Sequence, residues 1–168
     1  INLLLNYPDD SAGSIMTTEY VALKKDMTVC DAMRHIKEVG IHKETIYTCY
    51  VLERRKLIGI VTAKDLMTMD DDTKIGDIME TEIISVHTHT DQEEAARLFS
   101  KYDFLALPVL DADGLMVGII TVDDAIDVVV DEATEDMTVM AAVTPSEKSY
   151  FDTSVFAHAK NRFVWLLV

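Results

Sequence analysis

The sequence predicts an α+β (α/β) fold built from two copies of one unit, each running strand, helix, strand, strand, helix. Three observations carry this. The phrases Ser14-Ile15-Met16 and Asp77-Ile78-Met79 open two segments, which close on the nearly identical Gly59-Ile60-Val61-Thr62-Ala63-Lys64-Asp65 and Gly118-Ile119-Ile120-Thr121-Val122-Asp123-Asp124. Apolar residues recur at helical spacing directly after a capping signal in both segments. Each segment then holds two β-rich runs separated by a short turn.

The elements follow in order. A short apolar strand comes first, Tyr20 to Leu23 in one copy and Ile83 to Val86 in the other. Thr28 and Asp91 are N-cap candidates, with Asp31 and Glu94 three residues on in the manner of a capping box, Asp replacing the usual Glu in the first. Behind them Val29, Ala32, Met33 and Ile36, and Ala95, Leu98, Phe99 and Tyr102, form the apolar stripe of a helix. Thr48 to Glu53 pairs with Lys56 to Val61 across Arg54-Arg55, and Ala106 to Asp111 pairs with Met116 to Ile120 across Ala112-Asp113-Gly114. Each pair is a hairpin.

Composition narrows the function. The 168 residues include 15 Lys plus Arg against 30 Asp plus Glu, a net charge of −15, with 49% hydrophobic residues. One domain or two small ones with a true core are expected. Nucleic acid is a poor partner for such a chain, because phosphate binding needs clustered Lys and Arg. The imbalance is local: residues 1–64 carry nine basic and eight acidic side chains, residues 65–168 six and twenty-two. No Lys or Arg stands between Lys101 and Lys148. Apolar groups such as Ile119-Ile120 and Val128-Val129-Val130 interrupt the acidic run, so an ordered acidic surface is expected rather than a disordered tail. Two like charges about 4 Å apart repel by about 1 kcal/mol in water and about 4 kcal/mol at an effective dielectric of 20. Such a surface is either a solubility device or a site for counter-ions. Cys30 and Cys49 stand alone among apolar residues, which argues against a disulfide scaffold or zinc knuckle and fits a reducing cytosol.

The doubled unit, the opening Ile-Met, the strand Leu107-Pro108-Val109-Leu110-Asp111 and the closing Gly-Ile-[Val/Ile]-Thr-x-x-Asp together resemble a tandem pair of CBS domains, a Bateman module. More narrowly, Tyr7-Pro8-Asp9-Asp10-Ser11-Ala12-Gly13, Glu44-Thr45-Ile46-Tyr47, residues 90–97 and Asp131-Glu132-Ala133-Thr134-Glu135-Asp136 are similar to the MgtE family of magnesium channels or transporters. The resemblance implies a division into the end of an N-terminal helical domain (1–13), a first CBS domain (14–75), a second (76–136), a connecting plug-helix region (137–162) and the start of a transmembrane helix (163–168). Lys160 and Arg162 ahead of an apolar run with Trp165 fit the positive-inside and aromatic-belt pattern; the other reading is a short amphipathic C-terminal helix. Ile1 is followed by no signal-peptide pattern, and the chain is expected to be a fragment.

The resemblance also implies a function. MgtE-family proteins use acidic residues of this region to sense Mg2+: bound ions neutralise repulsion, the cytosolic dimer compacts and the pore shuts. The matching positions are Asp91, Glu93, Asp103, Asp124, Asp127, Glu132, Glu135 and Asp136, all acidic. Independently of the family, Asp124 and Asp127, and Glu132 with Glu135 and Asp136, are three or four residues apart and share a helix face. Mg2+ accepts one or two carboxylates and keeps several waters. CBS pairs also bind adenine nucleotides such as ATP between their repeats, with the Thr-x-x-Asp aspartate on the ribose; Thr62 with Asp65, or Thr121 with Asp124, are the candidates. By resemblance Tyr47 and Phe104 flank the adenine, and Lys64 approaches phosphate. The alternative for both aromatics is a place in the core. Only the first repeat has a basic residue beside its aspartate, so one nucleotide per chain is expected.

Other signals are weaker. His87 and His89 alternate as a metal pair would but lack a third ligand. Asp70-Asp71-Asp72 reads as a solvated linker between the repeats, and no nucleophile–base motif is present. The expectation is therefore a non-enzymatic, homodimeric regulatory region on the cytoplasmic face of the membrane, working with its own N-terminal and transmembrane domains. The runner-up is an adenine-nucleotide-sensing CBS module regulating an attached domain.

Overall fold

The computed structural model describes residues 7–140, so the expected connecting region and transmembrane start lie outside the described residues apart from the end of the last helix. The chain divides into two compact units, Ile1–Ile126 and Asp127–Val168, and the first contains both three-stranded sheets. In chain order the elements are α1 (Ala12–Ile15), β1 (Val21–Leu23), α2 (Val29–Val39), a 3-10 turn (Gly40–His42), β2 (Thr48–Glu53), β3 (Lys56–Thr62) and α3 (Ala63–Thr68). There follow α4 (Ile75–Ile78), β4 (Val86–His87), α5 (Gln92–Tyr102), β5 (Ala106–Leu110), β6 (Met116–Thr121) and α6 (Val122–Met140).

Local rules account for most of these. Thr28 accepts the Asp31 amide at 3.2 Å, and hydrogen bonding to Thr28 holds the Asp31 carboxyl below the usual carboxylate range. Asp91 accepts the amides of Glu93 and Glu94 at the start of α5. Both hairpins form where expected, with β1 parallel to β2 and β2 antiparallel to β3, and the same order in β4-β5-β6. The first hairpin turns on Arg54 (φ 51) and Arg55 (φ 69), the two left-handed positions of a tight turn, filled without glycine.

Two expectations are corrected. The strand expected over Ile83 to Val86 is reduced to Val86–His87. Only Val86 and His87 reach partners, Val109 and Leu110 of β5; the chain just before Ile83 is held by Glu80 Oε1, which accepts the amides of Thr81 and Glu82 at 2.8 and 2.9 Å. Tyr102 was expected on the buried stripe of α5, where Ala95, Ala96 and Phe99 are indeed buried, but it is 41% exposed. It is the last residue of the helix, where Asp103 turns left-handed and carries the chain away.

The two repeats exchange their opening segments. Thr17 and Ile119 bond reciprocally, amide to carbonyl, at 2.8 and 2.9 Å, joining the first opening to the second closing strand. Glu80 and Ile60 do the same at 2.9 Å each, in the opposite sense. The short helices follow suit: Ala12 and Gly13 donate to Thr90 and Thr88, while Ile75 and Gly76 donate to Met27 and Lys25. Ile75 is thus fully buried in the core of the first repeat with Val21, Leu23, Val29 and Val61. The glycines of the closing phrases permit the approach. A Cβ on Gly59 would stand 2.5 Å from Met79 Sδ, and one on Gly118 would stand 2.7 Å from the Thr17 carbonyl oxygen and 2.8 Å from Met16 Sδ. Tyr50, Ala106, Met116 and Ile119 form a second buried cluster shared by the repeats.

Two stability predictions follow from this packing. Gly118→Ala collides with backbone and is expected to lower stability by about 1–3 kcal/mol in urea unfolding, whereas Gly59→Ala meets only the flexible Met79 side chain and costs less; equal losses would contradict the assignment. Tyr50 is fully buried and its hydroxyl finds no partner among the described residues. Tyr50→Phe is therefore expected to leave stability unchanged or raise it by about 1 kcal/mol, and a clear loss on thermal unfolding would reveal a bond to that hydroxyl.

Candidate functional site

The exchange of segments leaves a cleft of about 460 Å³ within the first unit. One wall is the first sheet, through Thr48, Tyr50, Ile60 and Thr62; the other is the second repeat, through Glu82 to Ile84 and Tyr102 to Ala106, with Pro108. Ile83 and Ile84, which precede the shortened β4, line the cleft.

Thr62 and Phe104, both expected from the sequence, line the cleft. Thr62 also caps α3 in a full capping box: its hydroxyl accepts the Asp65 amide and donates to Asp65 Oδ2, which accepts the Thr62 amide at 3.0 Å as well. One oxygen of the expected ribose ligand is thus already engaged in holding the helix. Lys64 is exposed in the first turn of α3. Tyr47 is 64% exposed and does not line the cleft, though its carbonyl accepts the Ala63 amide at 2.8 Å. In the second repeat Thr121 donates to Asp124 Oδ2 at 2.7 Å, the counterpart of the Thr62–Asp65 bond.

Of the acidic residues, Asp91 is spent on capping α5, and Glu93 pairs with Arg97 at 2.6 Å. Asp103 lines the cleft with Glu82, so its mouth carries two carboxylates. Asp127 is exposed on α6, where Glu132, Glu135 and Asp136 follow; the Asp136 side chain lies outside the described residues. Among the described residues no three His, Cys, Asp or Glu side chains converge as a metal centre would require. The α6 segment offers carboxylate oxygen and no basic side chain, a donor set that suits a hard, hydrated cation held by one or two protein ligands.

His87 and His89 are both exposed; His87 Nδ1 lies 3.3 Å from the Asp111 carbonyl, and His89 meets the Tyr7 ring edge-on. Cys30 is exposed, while burial pushes the Cys49 thiol up to about 12, keeping it neutral. Tyr102 is one of the cleft residues that sequence reasoning missed, since helical spacing placed it in the core. Its position beside Asp103, a residue tolerant of left-handed backbone, was the available signal.

Among the described residues no helix is long and apolar enough to cross a membrane. The family model for the CBS domain matches residues 12–71 and 75–131. The chain is 41% identical to the magnesium transporter MgtE of Thermus thermophilus, over 100% of this chain and 38% of that protein. It is 44% identical to the Enterococcus faecalis magnesium transporter MgtE, over 99% of this chain and 36% of that one. The chain thus spans little more than a third of these curated relatives. A solved structure of the cytosolic domain of the Mg2+ channel MgtE in complex with ATP aligns with a TM-score of 0.74 at 44% identity, covering 75% of this chain and 51% of that one. The chain belongs to the CBS-domain family as a tandem CBS pair, and it is homologous along its length to magnesium transporters of the MgtE type.

Proposed function

We propose that this chain is the cytosolic regulatory region of an MgtE-type magnesium transporter or channel, sensing Mg2+ through its acidic residues and gating an attached pore by compaction of a homodimer. The observation that carries the proposal is α6, which has acidic residues along its length and no basic one, in a chain similar throughout to MgtE transporters. Asp103, Asp124, Asp127, Glu132, Glu135 and Asp136 are the proposed ion-binding carboxylates, with Asp91 and Glu93 contributing once their present hydrogen bonds are given up. The ions neutralise mutual repulsion, so the compact state gains stability with each ion bound. An ion present at ten times its dissociation constant adds about 1.4 kcal/mol, a tenfold shift, so a few ions suffice to move a gate. The partners are a second copy of the chain and the N-terminal and transmembrane domains of the whole protein, at the cytoplasmic face of the membrane.

The cleft supports an adenine nucleotide as a second ligand, ATP being the one named for a relative. In this reading Phe104 flanks the base, Tyr47 joins it once its exposed side chain swings into the cleft, Asp65 takes the ribose through its remaining oxygen, Thr62 holds Asp65 in place and Lys64 approaches phosphate. The runner-up function, a nucleotide-sensing CBS module acting on some other attached domain, rests on the same cleft and differs in being indifferent to Mg2+.

A magnesium titration followed by solution scattering and melting temperature, against potassium chloride of equal ionic strength, separates these readings. Millimolar Mg2+ is expected to shrink the radius of gyration and raise the melting temperature where matched salt does not. Equal responses would reduce the acidic surface to screened repulsion. Asp127→Lys, which reverses one charge without touching the Thr121–Asp124 bond, is expected to produce part of the compaction without Mg2+.

A further inference from the structure

The register of the first sheet lays out one wall of the cleft. Thr48 stands opposite Thr62 and Tyr50 opposite Ile60, and all four line the cleft, while Cys49, Val51 and Val61 between them belong to the core of the first repeat. The Tyr50–Ile60 row is thus one same-face step, about 7 Å along the strand, from the Thr62 that holds Asp65. Tyr50 is fully buried, yet its hydroxyl has no hydrogen-bond partner among the described residues. Its ring is well held, meeting Tyr20 edge-on at 5.8 Å and packing with Ala106, Met116 and Ile119 of the second repeat. The buried hydroxyls of Ser11 and Thr121, by contrast, are bonded to the Pro8 carbonyl and to Asp124. A buried hydroxyl without a partner gives up its bond to water and gains none, so phenylalanine would fill the same space at less cost. A partner that arrives with a ligand accounts for the polar atom.

We propose that Tyr50 is a specificity-determining residue of the cleft, its hydroxyl hydrogen-bonding the polar six-membered edge of the purine of a bound nucleotide. The inference rests on the nucleotide reading above and adds a residue that reading lacks. With the ribose at Asp65, the Tyr50–Ile60 row lies one step further along the same wall, where the far side of the base comes to rest. A hydroxyl both donates and accepts, so it pairs with a ring nitrogen or with the exocyclic amine of that edge. It is covered in the structure, and the ligand reaches it by shifting the opposite wall, whose Tyr102 and Leu105 are exposed. Because Tyr50 packs on residues of the second repeat, the same bond ties an occupied cleft to the core the two repeats share.

Calorimetry and thermal unfolding of the whole chain test this, with ATP and with the triphosphate of benzimidazole riboside, whose base keeps a flat ring system but lacks the nitrogens and amine of the six-membered edge. Tyr50→Phe is expected to melt at or above the parent's temperature without ligand and to bind ATP roughly five- to tenfold more weakly, the loss of one hydrogen bond. It is expected to bind the benzimidazole nucleotide within about twofold of the parent, since neither chain has an edge to bond there. Parental affinity for ATP in Tyr50→Phe, or an equal loss for both nucleotides, would overturn the role of the hydroxyl and leave the nucleotide reading standing. A clearly lower melting temperature of Tyr50→Phe without ligand also contradicts the proposal, because the hydroxyl is then already bonded. Failure of the parent chain to bind ATP at all would overturn both readings.

Discussion

Thr17 and Ile119, and Glu80 and Ile60, bond reciprocally across the boundary between the repeats, and the rest of the first unit is arranged around those two clasps. Each repeat forms its own three-stranded sheet, but neither fills its core alone. The opening segment of each lies against the closing strand of the other, Ile75 fills the first repeat's core from the second, and Met16 and Met79 rest on Gly118 and Gly59. Each backbone bond is worth about 1 kcal/mol net, so no single one holds the pair together. The set acts jointly, and its geometric demand explains why both closing phrases begin with glycine.

The cleft is a by-product of the same exchange. The gap lies between the repeats that this exchange joins, bordered by Ile83 and Ile84 and by the reversal of the chain at Asp103. Its lining therefore comes from both repeats, apolar in the middle and carboxylate-bearing at Glu82 and Asp103. A ligand seated there touches the two halves at once, which couples occupancy to the relation between the repeats. The acidic charge lies largely in the later part of the chain, where residues 65–168 carry six basic and twenty-two acidic side chains.

Much of this was legible in the sequence because it is local. Caps at Thr28 and Asp91, the hairpins, and the doubled phrases depend on residues a few positions apart, and the structure forms them where the residue types indicate. The exchange of segments was not legible, since a repeat looks the same whether each copy closes on itself or on its twin; the reciprocal Thr17–Ile119 and Glu80–Ile60 bonds and the approach of Met16 to Gly118 reveal it. The β4 strand is shorter than its β-rich run because only Val86 and His87 reach partners in β5, and apolar patterning does not state where a neighbouring strand begins. Tyr102 was misplaced for a related reason: helical spacing states which face a residue occupies but not that the helix has already ended. Of the candidate site residues, Thr62 and Phe104 line the cleft while Tyr47 stays outside it, its side chain in solvent although its carbonyl bonds to Ala63.

Native-state hydrogen exchange at the Ile60 and Ile119 amides tests the reciprocal clasp most directly. Each amide is bonded to a carbonyl of the other repeat's opening segment, Glu80 and Thr17 respectively. If the two repeats form one cooperative structure, both amides exchange with the same opening free energy and the same denaturant dependence. Exchange of one through a local opening while the other keeps the protection of global unfolding would contradict the account, showing that each repeat stands without its twin.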